Sequence, residues 1–189
     1  GSHLTFFHES AWSPVADSEP GRPVIEASGV IRIPIPANDL IYDPIRNRIW
    51  ASIPGYIGQV GNSVVSINPA TGMLEDSIYA GSEPGVLALS TDGNRLFTGL
   101  EAASTISSFD LYTKQIVKSF SVLDSVALNG SFWRAGSLVA VPNQTDSVVV
   151  VRTPLDVTEY ASSEVVYDDG VPRPNINESL MTTVRPGAD

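Results

Sequence analysis

The chain has 189 residues, 42% of them apolar and 17% charged, with a net charge of −10 and no cysteine. That acidic balance, with 11 Lys and Arg scattered along the sequence, argues against a nucleic-acid backbone as partner. The missing cysteine removes disulfides, thiolate metal sites and cysteine nucleophiles together. No apolar run approaches the ~18 residues of a membrane-spanning helix, and 14 Pro with 15 Gly favour turns and short elements over long helices.

The opening Gly1-Ser2-His3 has the form of a tag-cleavage remnant and is set aside. The first 28 residues, with Pro14, Pro20 and Pro23, read as an irregular arm with an edge strand near Val24–Ile25. From Gly29 the texture changes. "VIRIPI" (Val30–Ile35) alternates with period two and predicts a strand. "DLIYDPIRNRIWASIP" then reads as strand, turn, strand, and "NSVVSINPATGMLEDSIYAG" as a second pair around Asn68–Gly72. "GVLALSTDGNRLFTGL" repeats the first pair with Asp92-Gly93 as its hairpin signal. In that repeat Leu40 corresponds to Leu87, Asn47 to Asn94, Arg48 to Arg95 and Trp50 to Phe97. "STISSFDLYTKQIVKSFSV" repeats the second pair, and the first copy differs by its longer loop, Gly55–Gly61. A looser third copy runs through Ser137–Arg152 and Ser163–Pro174, with Asp169-Gly170 as a turn.

The unit is therefore four short antiparallel strands in roughly 40–47 residues, the period of a propeller blade. Runs such as "SVVVV" and "GVLAL" are apolar on both strand faces, as expected of sheets stacked face to face. The expected fold is all-β, a partial β-propeller of four-stranded antiparallel blades; a β-sandwich with coincidentally similar hairpins is the plainer alternative. The boundaries are residues 1–28 for the remnant and arm, 29–175 for the repeats (blades 29–83, 84–127 and 128–175) and 176–189 for a tail.

The segments "NDLIYDPIRNRIWASIPG", "SVVSINPATGMLEDSIYAGSEPGVLALSTDGNRLFTGL" and "VVYDDGVPRPN" resemble the YVTN-type bacterial β-propeller repeats of lactonase-like and surface-layer-like seven-bladed proteins. The Asn-Pro-Ala-Thr-Gly turn and the "GSEPGVLALSTDG" linker carry most of the likeness, which spans about Val30 to Asn175. It implies an extracellular or periplasmic setting. It does not imply an activity, because one fold serves hydrolases and binding scaffolds alike. A full ring of this period needs on the order of 250–320 residues, so about two and a half to three blades are present. Uncovered blade faces mark association sites, and a homo-oligomer completed through them is expected.

Motifs for chemistry are sparse. A Ser-His-Asp set needs a histidine, and outside the remnant there is only His8, in the arm. Asp92 and the pair Asp168-Asp169 are the acidic candidates for a hard cation, but Asp-Gly is what a tight turn needs for backbone reasons alone. No metal site and no cofactor is expected. Glu75, Asp76, Glu83, Glu101 and Glu164 read as solvated charges, and Arg48 and Arg95 as anchors to neighbouring blades or carbonyls. Trp50 and Phe97 read as packing between blades. Asn129, Asn143 and Asn177 begin glycosylation sequons, which matter only in a secreted eukaryotic protein. Ligand contact is expected at Tyr56 and Gln59, in the loop that only the first copy has, and at Trp133 as a stacking platform. The function so read is a non-enzymatic module binding a protein, a polysaccharide or itself. A portion of a lactonase-like or glycan-cleaving enzyme is the alternative.

Overall fold

The computed structural model describes residues 21–123, 133–154 and 163–174. His8, the Asn129 and Asn177 sequons, most of the connection after Thr153 and the tail beyond Pro174 lie outside them.

Three four-stranded antiparallel sheets follow one another in strict chain order. The first holds β3 (Asp39–Asp43), β4 (Arg48–Ile53), β5 (Ser63–Ile67) and β6 (Leu74–Tyr79). The second holds β7 (Pro84–Leu89), β8 (Arg95–Leu100), β9 (Thr105–Asp110) and β10 (Gln115–Ser121). The third holds β11 (Trp133–Ala140), β12 (Ser147–Pro154), β13 (Ser163–Asp168) and β14 (Val171–Pro172). A separate hairpin, β1 (Val24–Ile25) with β2 (Ile31–Arg32), precedes them. "VIRIPI" is thus strand only at Ile31–Arg32, because Pro34 and Pro36 carry no N–H to continue a ladder.

The sheets stack face to face, and the first strands converge: β7 packs beside both β3 and β11. Sheets joined in chain order, with first strands inward, are blades of a partial β-propeller. Because each blade is sandwiched, the apolar positions on both faces of its middle strands are buried. Trp50, Val64, Ile78, Leu87, Leu96, Leu100 and Phe109 fill the space between blades one and two. Phe97, Ile106, Val122, Leu138, Val148, Val150 and Tyr167 fill that between blades two and three. Trp50 and Phe97, equivalent in sequence, do the same work in successive interfaces, at 1% and 2% exposure.

The two terminal faces differ. On blade one, Ala51, Ile53, Val65 and Ile67 are covered by Ile33 and Ile35 from the segment after β2 and by Ile57 and Val60 from the long loop. The expectation of a wholly bare face there is corrected: the N-terminal segment covers its outer half. On blade three, Val148 and Val150 point inward to blade two. Their neighbours Val149 and Val151 therefore face away, beside Val139, which is 57% exposed.

Candidate functional site

A cleft of about 260 Å³ opens between blades one and two, lined by Arg46, Arg48, Trp50, Glu75, Asp76, Leu111 and Lys114. Its position follows from the chain path. The β3–β4, β5–β6 and β9–β10 turns all fall at the same end of the sheets, and they bring long charged side chains over the apolar floor of Trp50 and Leu111. Asp43, fully buried, organises one wall. It accepts hydrogen bonds from the Ile45 and Arg46 amides at 2.9 and 3.1 Å and pairs with Arg46 Nη1 at 3.0 Å. Arg46 Nη1 also donates to the Gly93 carbonyl at 2.6 Å, which ties the turn to blade two.

Every cation in this cleft has an anion: Arg46 holds Asp43, Arg48 holds Glu75, and Lys114 Nζ lies 2.5 Å from Asp76 Oδ1. Such a surface can recognise a small polar or zwitterionic group by exchanging these partly solvated pairs. Its lining contains no histidine, the side chain that most often shuttles protons in catalysis. Glu75 and Asp76, read from sequence as solvated charges, are members of this wall. Nothing in their local pattern shows it, because the wall exists only where two blades meet.

The aspartates considered for a cation are committed to turns. Asp92 accepts from Ser90 Oγ at 2.6 Å, Thr145 Oγ1 at 2.6 Å and the Asn94 amide at 3.1 Å, so the bonds from Ser90 and Thr145 above all hold its pKa far below the carboxylate range. Asp168 is held low chiefly by Arg173 and then by Ser147. Among the described residues no group of three or more His, Cys, Asp or Glu could hold a metal ion. Arg95 bridges blades two and three, with Nε 2.7 Å from Asp146 and Nη1 2.8 Å from Asp110. Burial opposes its charge, but those two hydrogen bonds outweigh it and raise its pKa. Arg48 instead stays within blade one, on Glu75 and the Asn47 carbonyl.

Tyr56, Gln59 and Trp133 fall at the opposite end of the sheets from the cleft. Tyr56 is 76% exposed and Gln59 is exposed on the short helical turn Gly58–Val60. Trp133 begins β11, half-buried, with the Arg152 guanidinium over its ring at 5.6 Å. Blade two lies between that residue and the Tyr56 loop.

No protein-family model matches the chain. No curated protein matches it in sequence. Among solved structures it is similar to a hydrazine synthase of Kuenenia stuttgartiensis, with TM-score 0.49 and 15% identity over 88% of this chain and 41% of that one. It is also similar to the WD40 repeats of RRP9, with TM-score 0.48 and 14% identity over 68% of this chain and 38% of the other. A third is the β-propeller domain of Cps50 (Swd1) from Myceliophteria thermophila, at 0.47 and 12% over 69% and 38%. The chain spans about two fifths of the length of each of these structures. The fold itself is established by the three sheets described above.

Proposed function

We propose that this chain is a non-enzymatic binding module built on YVTN-type propeller repeats, acting through protein–protein contact that includes self-association. The observation that carries this reading is exposed apolar side chain on the terminal blades: Leu40 at 59% and Tyr42 at 53% on blade one, and Val139 at 57% on blade three. At the equivalent positions inside the stack Leu87 is 6% exposed and Leu89 is partly buried, so the exposure on the terminal blades costs solvation free energy that a docked surface recovers. Tyr56 and Gln59 are the positions assigned to ligand contact on the rim. Trp133, half-buried with the Arg152 guanidinium over its ring, is the third such position. Light scattering coupled to size-exclusion chromatography tests the self-association. A mass above 20.1 kDa that rises with concentration is expected. A strict monomer at every concentration, with no binding of an apolar dye, would sink it.

A further inference from the structure

The hairpin β1–β2 repeats the outer half of a blade. In blade one the turn between the third and fourth strands closes with the Asn68 amide on the Met73 carbonyl and the Gly72 amide on the Asn68 carbonyl, at 2.9 and 2.8 Å. The hairpin closes with the Glu26 amide on the Val30 carbonyl and the Gly29 amide on the Glu26 carbonyl, both at 2.9 Å. The residue ending each turn is left-handed: φ is +81° at Gly29, +71° at Gly72 and +58° at Lys114. The packing repeats as well. Counted from that residue, Ile33 and Ile35 stand where Asp76 and Ile78 stand in blade one, and each pair faces the following blade.

Among the described residues no inner pair of strands joins this hairpin. Between blades one and two, Ile41 and Trp50 of the inner pair β3–β4 cover Leu87, which is 6% exposed, and Leu89 packs there as well. Asp39 Oδ2 also accepts from the Leu87 amide at 2.7 Å, and Asn38 Nδ2 donates to the Pro84 carbonyl at 2.9 Å. One blade earlier the equivalents of Leu87 and Leu89 are Leu40 and Tyr42, both more than half exposed. The Leu40 amide bonds to the adjoining Asp39 carboxylate, at 2.8 Å, rather than to a residue of a preceding blade. Among the described residues β1 pairs on one edge alone, with Val24 and Ile25 45% and 73% exposed.

We infer that the open edge of β1 and the Leu40–Tyr42 strip form one docking site, and that it takes an antiparallel β-hairpin of a partner polypeptide with the pattern of an inner blade pair. This rests on the binding-module reading and names its interface. The recognition chemistry is set by the next interface along. An Asn-Asp at the start of the first strand bonds the Leu40 amide and the backbone before it. An apolar residue two positions after the Asp and an aromatic residue in the second strand cover Leu40 and Tyr42. The second strand adds to β1 by main-chain hydrogen bonds. The inner pairs of the three complete blades are already paired in place, so a folded second copy has none to lend.

The probe is a synthetic peptide copying residues 38–53, added to the full chain while amide hydrogen exchange is followed. Exchange at residues 24–25 and 40–42 is expected to slow by about tenfold at saturation. Peptides carrying Asp39→Ala and Trp50→Ala should act more weakly. Leu40→Asp and Tyr42→Ser, both at exposed positions, should abolish the effect while leaving the rest of the exchange pattern intact. No slowing at millimolar peptide overturns the proposal, as does slowing confined to β11–β13. A dimer lost on Leu40→Asp without any peptide effect also overturns it, in favour of a second copy. If the peptide fails but association persists and depends on Val139, the binding-module reading stands and this docking site falls.

Discussion

Trp50 shows how one residue links sequence to interface. It is 1% exposed, forms the floor of the charged cleft, and donates from Nε1 to buried Asp43 at 3.4 Å. Trp50→Ala would empty an interblade position and is expected to cost about 3–5 kcal/mol, read from urea unfolding. Asp92 acts through charge instead. Its folded pKa is depressed, so its contribution is fully present above the unfolded value of about 4 and is lost as pH falls toward the folded value. Stability should therefore decline from about pH 4 downward. Asp92→Asn should be less stable than the parent at pH 7, and the gap between them should narrow by pH 3. A constant gap across that range would refute the assignment. Gly72 shows a third kind of constraint. Its φ is +71°, and a Cβ there would lie 2.6 Å from Ile31 Cγ2 and 2.9 Å from Pro23 Cβ. Gly72→Ala should cost about 1 kcal/mol or more and loosen β1–β2 first, seen as faster amide exchange there.

Between elements, the blades are joined by an ion pair whose polarity reverses along the chain. Asp76 on β6 meets Lys114 in the following blade's turn, whereas Lys118 on β10 meets Asp169 in the next, at 2.5 and 2.8 Å. With the polarity alternating, blade one set against blade three would place Asp76 beside Asp169, two like charges. These pairs are half-solvated, so each stabilises by about 0.5 kcal/mol. They favour one blade order more than they hold the stack together. Lys114 also has φ +58°, and an L-residue in that conformation costs about 1 kcal/mol. Lys114→Gly should thus raise stability slightly, by about 0.5 kcal/mol, since the relieved backbone outweighs the lost pair. Lys114→Asp should lower it, and Asp76→Lys in the same chain should restore it. Failure of that rescue would mean that the contact carries no coupling.

At the scale of the molecule, the two ends of the stack are unlike. The N-terminal segment shields the outer half of blade one, while blade three presents Val139, Val149 and Val151 outward. Val139→Asp should lower the self-associated fraction in light scattering without changing the unfolding midpoint by more than a degree or two, because that side chain is mostly solvent-exposed in the single chain. An unchanged fraction would place the contact elsewhere.

The four-strand unit was legible because its signals are local. Asp169-Gly170 is a two-residue turn with φ of +46° and +75°, and the strands alternate or run apolar as sandwiched sheets require. The equivalence of Trp50 with Phe97 was enough to place both in successive interfaces. The hairpin β1–β2 was harder to see. Its strands are two residues each, and the prolines that follow hide the likeness to an outer strand pair. The cleft was not legible at all. Arg48, Glu75 and Lys114 are far apart along the chain, and a charge beside a turn looks the same whether or not another blade faces it.

What the sequence alone determined was therefore the repeating blade, since strand periodicity and turn chemistry act over a few residues. Only the tertiary structure decided which terminal face is shielded, which charges meet across blades, and that Leu40 and Tyr42 stand bare where Leu87 and Leu89 are covered. Those outcomes depend on what lies on the other side of a sheet, and contacts between sheets are made by residues whose separation along the chain carries no local signal.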